Sequence, residues 1–73
     1  MGMERFLRYS LERHKPIRMI FLDPSGRMRQ VSAIVEQREA GRAQLYILRP
    51  PQRLTVPETD ILGASYAPGD EGA

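Results

Sequence analysis

His14 is the one histidine among 73 residues, and cysteine is absent. No histidine pair, catalytic triad, thiolate metal site or histidine-based cage can therefore be assembled within one chain. The expected place of His14 is a helix end, where the dipole favours it, or against the strand that follows. Asp23 and Asp60 are the carboxylates to weigh for acid–base chemistry. Both sit in turn sequences, Asp23-Pro24-Ser25-Gly26 and Pro57-Glu58-Thr59-Asp60, and a meander is expected to put them at opposite ends of the fold, which assigns them turn and cap duty. Ser25 lies in the first of these turns and no serine has a nucleophile-elbow context; Gly41 and Gly63 are isolated, with no phosphate-binding loop around them. The expectation is a non-catalytic chain with no cofactor and no metal.

The arginines carry the remaining chemical signal. Eleven residues are basic, ten of them arginine, whose planar fork matches phosphate and carboxylate best. All 11 lie at or before Arg53, against five acids there, a local net of +6; the remainder, with Glu58, Asp60, Asp70 and Glu71, carries −4. Such an excess suits a nucleic-acid partner, and the plainer reading is an arginine-rich solvated surface. Because antiparallel strands alternate in direction, the turns after the first and third strands share one end. That end is expected to gather Arg27, Arg29, Arg49 and Arg53 against Asp23 alone, and these four are the candidate nucleic-acid contacts. The other end mixes Arg13, Lys15, Arg18, Arg38 and Arg42 with Glu36, Glu39, Glu58 and Asp60. Tyr46 and Tyr66 are candidates for base stacking, although strand aromatics at alternating spacing more often pack.

Those side chains need a scaffold, and the segment 16–37 organises it. Ile17, Met19 and Phe21 alternate with Ile20 and Leu22, which predicts a strand with apolar cover on both faces. Asp23-Pro24-Ser25-Gly26 predicts the reversal, with proline presetting the first turn residue and Gly26 taking the left-handed conformation. In the returning strand Met28, Gln30, Ser32 and Ile34 share one face and Val31, Ala33 and Val35 the other. Before the hairpin, Met3, Phe6, Leu7, Ser10, Leu11 and His14 form a helical stripe, with Glu4, Arg8 and Glu12 as an i,i+4 series elsewhere. Pro16 fixes the helix end. After the hairpin, a turn at 38–42 uses Gly41 for positive φ; Ala43, Leu45 and Ile47 make a third strand, 53–56 a fourth, 57–60 a single helical turn and 61–66 a fifth. The expected class is mainly β with one N-terminal helix: a five-stranded, strongly bent antiparallel SH3/Sm-like barrel in the order α-β1-β2-β3-β4-β5. One domain spans 3–66, and 67–73, with no apolar anchor, is expected to be disordered.

A chain this short builds a core that rarely yields more than about 3–5 kcal/mol. Without disulfides or metal, oligomerisation is the remaining supplement. The fourth and fifth strands end the sheet, and Leu62-Gly63-Ala64-Ser65 has neither charge nor proline to guard an edge. Leu54, Val56, Leu62 and Ala64 are the candidate edge residues of a homo-oligomer. The longest apolar run is four residues, far below the ~20 of a spanning helix. Met1-Gly2 opens like a myristoylation signal, but Phe6 stands where that motif wants serine or threonine. The expected setting is cytoplasmic, with no membrane contact.

The layout of a short helix and five strands resembles the Sm-like fold, including its bacterial Hfq branch, through Phe6-Leu7, Lys15-Pro16-Ile17 and the turn from Val56 to Ile61. It is also similar to the WYL-type barrel of bacterial regulators, through Leu45-Tyr46-Ile47-Leu48 and Arg53-Leu54-Thr55-Val56. The Sm-like resemblance implies rings joined fourth strand to fifth, yet the family's uridine-pocket residues have no counterpart at 36–42 or 57–60. The WYL-type resemblance implies a sensing module, and here no DNA-binding helical domain accompanies it. The expected function is that of a non-catalytic barrel module that self-associates and binds nucleic acid weakly. The alternative is a protein-interaction or small-ligand-sensing module acting with a transcription regulator protein.

Overall fold

The computed structural model describes residues 2–72; Met1, which opens the myristoylation-like signal, and Ala73, the last residue of the tail, lie outside the described residues. The elements run α1 (Gly2–Arg13), β1 (Ile17–Leu22), β2 (Met28–Glu39), β3 (Arg42–Leu48), β4 (Pro51–Pro57), a 3-10 turn η1 (Glu58–Asp60) and β5 (Ile61–Tyr66). A mainly β chain with one N-terminal helix and five strands in this order is the expected class and is what is observed. β4 is longer than expected because prolines occupy both of its ends, where a missing N–H is tolerated.

All five strands form one antiparallel sheet in the order β4-β3-β2-β1-β5. Five strands laid flat would hold their outer members about 19 Å apart at ~4.8 Å per step. The chain from Pro57 to Ile61 crosses from one edge strand to the other in four residue steps, which reach at most ~14 Å when fully extended. The sheet must therefore curl. The bond from Glu58 N–H to Gly41 O at 2.8 Å fixes η1 to the β2–β3 turn, while the Phe21↔Ile61 pairing fixes the start of β5 to the end of β1. Among the described residues no ladder joins β4 to β5, so the curl is not closed by hydrogen bonds. Register shifts in β2 between Val35 and Gln37, and between β1 and β5 beside Ile20 and Phe21, supply local bends.

The core lies on the concave side. Ile17, Met19, Phe21, Ala33, Val35, Ala43, Leu45, Ile47, Val56 and Ile61 are buried there, and α1 covers them with Leu7 and Tyr9. The alternation in β1 and β2 is as expected, but β1 has apolar cover on one face: Ile20 and Leu22 on the other are half-buried and lie outside the core. The helical stripe is the expected one for Met3, Phe6, Leu7, Ser10 and Leu11, with Tyr9 buried beside it, whereas His14 is exposed just beyond α1 with φ 55. A left-handed residue ends the helix and turns its own side chain away from the stripe.

Two polar clamps hold α1 on the sheet. Ser10, fully buried, donates from Oγ to Lys15 O at 2.7 Å and accepts the Val35 N–H at 2.8 Å. Arg38 binds Glu58 through Nε at 2.7 Å and Nη2 at 2.9 Å, and Glu4 through Nη1 at 3.0 Å and Nη2 at 2.7 Å. Glu4 thus serves a long-range clamp, and among the described residues the ion pairs include none between Glu4 and Arg8. At the β1–β2 turn, Asp23 Oδ1 accepts bonds from the N–H groups of Ser25 and Arg27 and from the Ser25 hydroxyl, and Gly26 adopts φ 85.

The segment after β5 is anchored by polar contacts rather than apolar ones. Tyr9 Oη donates to Asp70 Oδ2 at 2.6 Å, and Asp70 Oδ1 accepts the Gly72 N–H at 3.0 Å. The sequence-based expectation of a disordered tail follows from the lack of an apolar anchor at 67–73; the contact that holds the segment joins Tyr9 and Asp70, 61 positions apart.

Candidate nucleic-acid interface and sheet edges

The four candidate arginines do not form one cluster. The last register pair between β2 and β3 is Ala33↔Ile47, whereas β1 and β2 remain paired to Leu22↔Met28. The β1–β2 hairpin consequently overhangs the end of β3 by several residues, at about 3.4 Å each. Arg27 stands exposed at the tip of that overhang, away from the β3–β4 connection that carries Arg49. Arg29, cross-strand from Phe21, lays its guanidinium over the Phe21 ring at 5.7 Å. Arg53, cross-strand from Tyr46, stacks over that ring at 5.1 Å and is paired to Glu36 through Nε at 2.8 Å and Nη2 at 3.3 Å. The bond from Arg53 holds the Glu36 carboxyl below its ordinary value, and the same pairing raises Arg53.

The aromatic candidates are similarly occupied. Tyr66 meets Phe6 edge-on at 4.7 Å and Tyr9 at 5.1 Å, and Tyr46 lies under Arg53. Asp23 and Asp60 are not at opposite ends as expected: the Phe21↔Ile61 pairing carries Asp60 to the Asp23 end of β1. The expectation followed the alternation of strand directions and did not include the curl that returns β5 alongside β1. Among the described residues no group of three or more His, Asp and Glu side chains could hold a metal ion.

Arg49 lines a cleft of about 470 Å³ with Arg18, Gln30, Val31, Ser32 and Leu48. Arg18 is expected at the other end, with Arg38 and Arg42, but lies beside Arg49 instead. The signal that finds it is alternation: Arg18 lies between buried Ile17 and Met19 and so faces outward, opposite Ser32 on one side and Ser65 on the other.

At the sheet edges, β4 pairs only with β3 and β5 only with β1. The side chains of the candidate edge residues differ in their commitments. Val56 is buried, Leu54 and Ala64 pack on the core, and Leu62 is 53% exposed. Leu62 is skipped in the register between Ile61 and Gly63, so it projects from the irregularity in β5. Among the described residues no helix is long and apolar enough to cross a membrane. Comparison with protein-family models, curated proteins and solved structures finds no match to this chain.

Proposed function

We propose that the chain is a non-catalytic module of Sm-like or WYL-like build that self-associates head to tail through the edges of β4 and β5 and contacts nucleic acid weakly through its arginines. The observation that carries this reading is the sheet order, which leaves the two edge strands with one ladder partner each. An unpaired strand edge presents a row of backbone donors and acceptors that a second copy satisfies. Edges of two different strands make a heterologous contact, which closes into a ring when the rotation between copies permits. Pro51 and Pro57 bracket β4 and restrict the usable edge to the residues between them. The exposed Leu62 beside the β5 edge adds apolar area to such a contact.

Leu62→Lys tests the reading without touching the core. A charge on this projecting side chain opposes edge pairing, while an exposed substitution shifts stability by about 0.5 kcal/mol or less. Sedimentation velocity should show a smaller species for the variant than for the unmodified chain, with equal melting temperatures at low concentration. Equal sedimentation of the two proteins would remove β5 from the interface. Ala64→Pro is a poorer probe, because Ala64 packs on the core and any dissociation would be confounded with unfolding.

A further inference from the structure

We infer that the cleft between Arg18 and Arg49 is a phosphate-binding site. Arg18 and Arg49 line it together with Gln30, Ser32, Leu48 and Val31, the last with its side chain packed against the core. Among the described residues five of the ten arginines are engaged in ion pairs or ring contacts, and of the other five (Arg8, Arg18, Arg27, Arg42 and Arg49) Arg18 and Arg49 share one cleft. Arg38 and Arg53 are in ion pairs, and Arg5, Arg13, Arg29 and Arg53 lie over aromatic rings. Among the described residues, Arg18 and Arg49 enter neither kind of contact. The clefts elsewhere that hold a basic residue differ in charge: the one at Arg42 includes Glu39, and the one at Lys15 includes Asp70. The Arg18–Arg49 cleft has two arginines and no acid in its lining.

The backbone adds to the case. β2 runs on past the Ala33↔Ile47 pair, so 28–32 have no ladder on the β3 side. Backbone groups left without a strand partner require another partner, and N–H groups beside two guanidiniums suit phosphate oxygens. Two forked cations with neutral donors match a phosphate dianion or a phosphodiester. The volume falls in the range of small-molecule pockets, and Leu48 gives the organic part of a phosphate ester an apolar surface to lie on. On a second side, Arg18 and Gln30 also line a smaller cleft with Gly63 and Ser65, and a Cβ on Gly63 would meet nothing within 4 Å. The inference rests on the nucleic-acid reading only if the phosphate belongs to a strand, and it is independent of self-association.

The test is a set of titrations at low salt with inorganic phosphate, a nucleoside monophosphate and a short single-stranded oligonucleotide, against the unmodified full chain and the Arg18→Ala, Arg49→Ala and Arg27→Ala variants. Thermal melting of each variant verifies folding. Binding of at least one probe is expected to weaken about tenfold or more in Arg18→Ala and in Arg49→Ala. Tightest binding of the monophosphate assigns the site to a small phosphate ester, and tightest binding of the oligonucleotide assigns it to a strand. Oligonucleotide binding that survives Arg18→Ala and Arg49→Ala but falls in Arg27→Ala overturns the site and leaves the nucleic-acid reading standing. No binding of any probe at millimolar concentration overturns both. Gly63→Ala adds a Cβ to the smaller cleft where nothing lies within 4 Å, and any weakening it causes would extend the site towards β5.

Discussion

Ser10 Oγ accepts the Val35 N–H at 2.8 Å from a fully buried position, joining the helix to β2 beside its register shift. The irregularity takes a backbone donor out of the sheet pattern, and the helix hydroxyl supplies the acceptor while donating to Lys15 O. Helix placement and sheet curvature are thus joined through one side chain. Ser10→Ala would leave a buried N–H and a carbonyl without their partner, at a cost of about 2 kcal/mol. Urea denaturation should show that loss as a lower midpoint at unchanged slope. A change within a few tenths of a kcal/mol would mean that another group takes over the acceptor role.

Arg38 ties Glu4 of the helix and Glu58 of the 3-10 turn to β2, and it predicts how acid unfolds the protein. The bond from Arg38 holds Glu58 and Glu4 below their ordinary value of 4.5. A carboxyl depressed on folding contributes stability that is present above its unfolded value and lost as pH falls through its folded value. Stability should therefore decline below about pH 4.5 and be flat with respect to these groups above it. Arg38→Ala should lower stability at neutral pH by about 2 kcal/mol and make the acid decline shallower. Melting temperatures measured from pH 7 to pH 2 check both parts; parallel curves for the two proteins would contradict the assignment.

Tyr9 and Asp70 report whether the segment after β5 docks in solution. The hydrogen bond to Asp70 raises the Tyr9 hydroxyl above its ordinary value of 10.0. Asp70→Ala should bring that titration down, visible as phenolate absorbance appearing at lower pH. An unchanged titration would show that the contact does not persist.

The legible part of this fold was set by local chemistry. Alternation of Ile17, Met19 and Phe21, the Asp23-Pro24-Ser25-Gly26 turn and Pro16 after the helix each act within a few residues, and the elements they specify are present. Less legible were features that depend on residues far apart in sequence. Arg53 is taken up by Glu36 and Tyr46, Arg38 by Glu4 and Glu58, and Tyr9 by Asp70. Alternation of strand direction alone groups Arg27 with Arg49; β2, which runs on past the end of β3, separates them and leaves Arg49 with Arg18. Nothing local in the sequence states that β2 outruns β3.

The central claim is that the free edges of β4 and β5 are met by other copies of the chain. Multi-angle light scattering of the unmodified protein across a micromolar concentration series tests it most directly. The account predicts a mass that is a multiple of 8.3 kDa and that persists on dilution in the way a closed ring does. A constant mass of one chain throughout the series would contradict it, and would mean that this small core is sufficient with both sheet edges left to water.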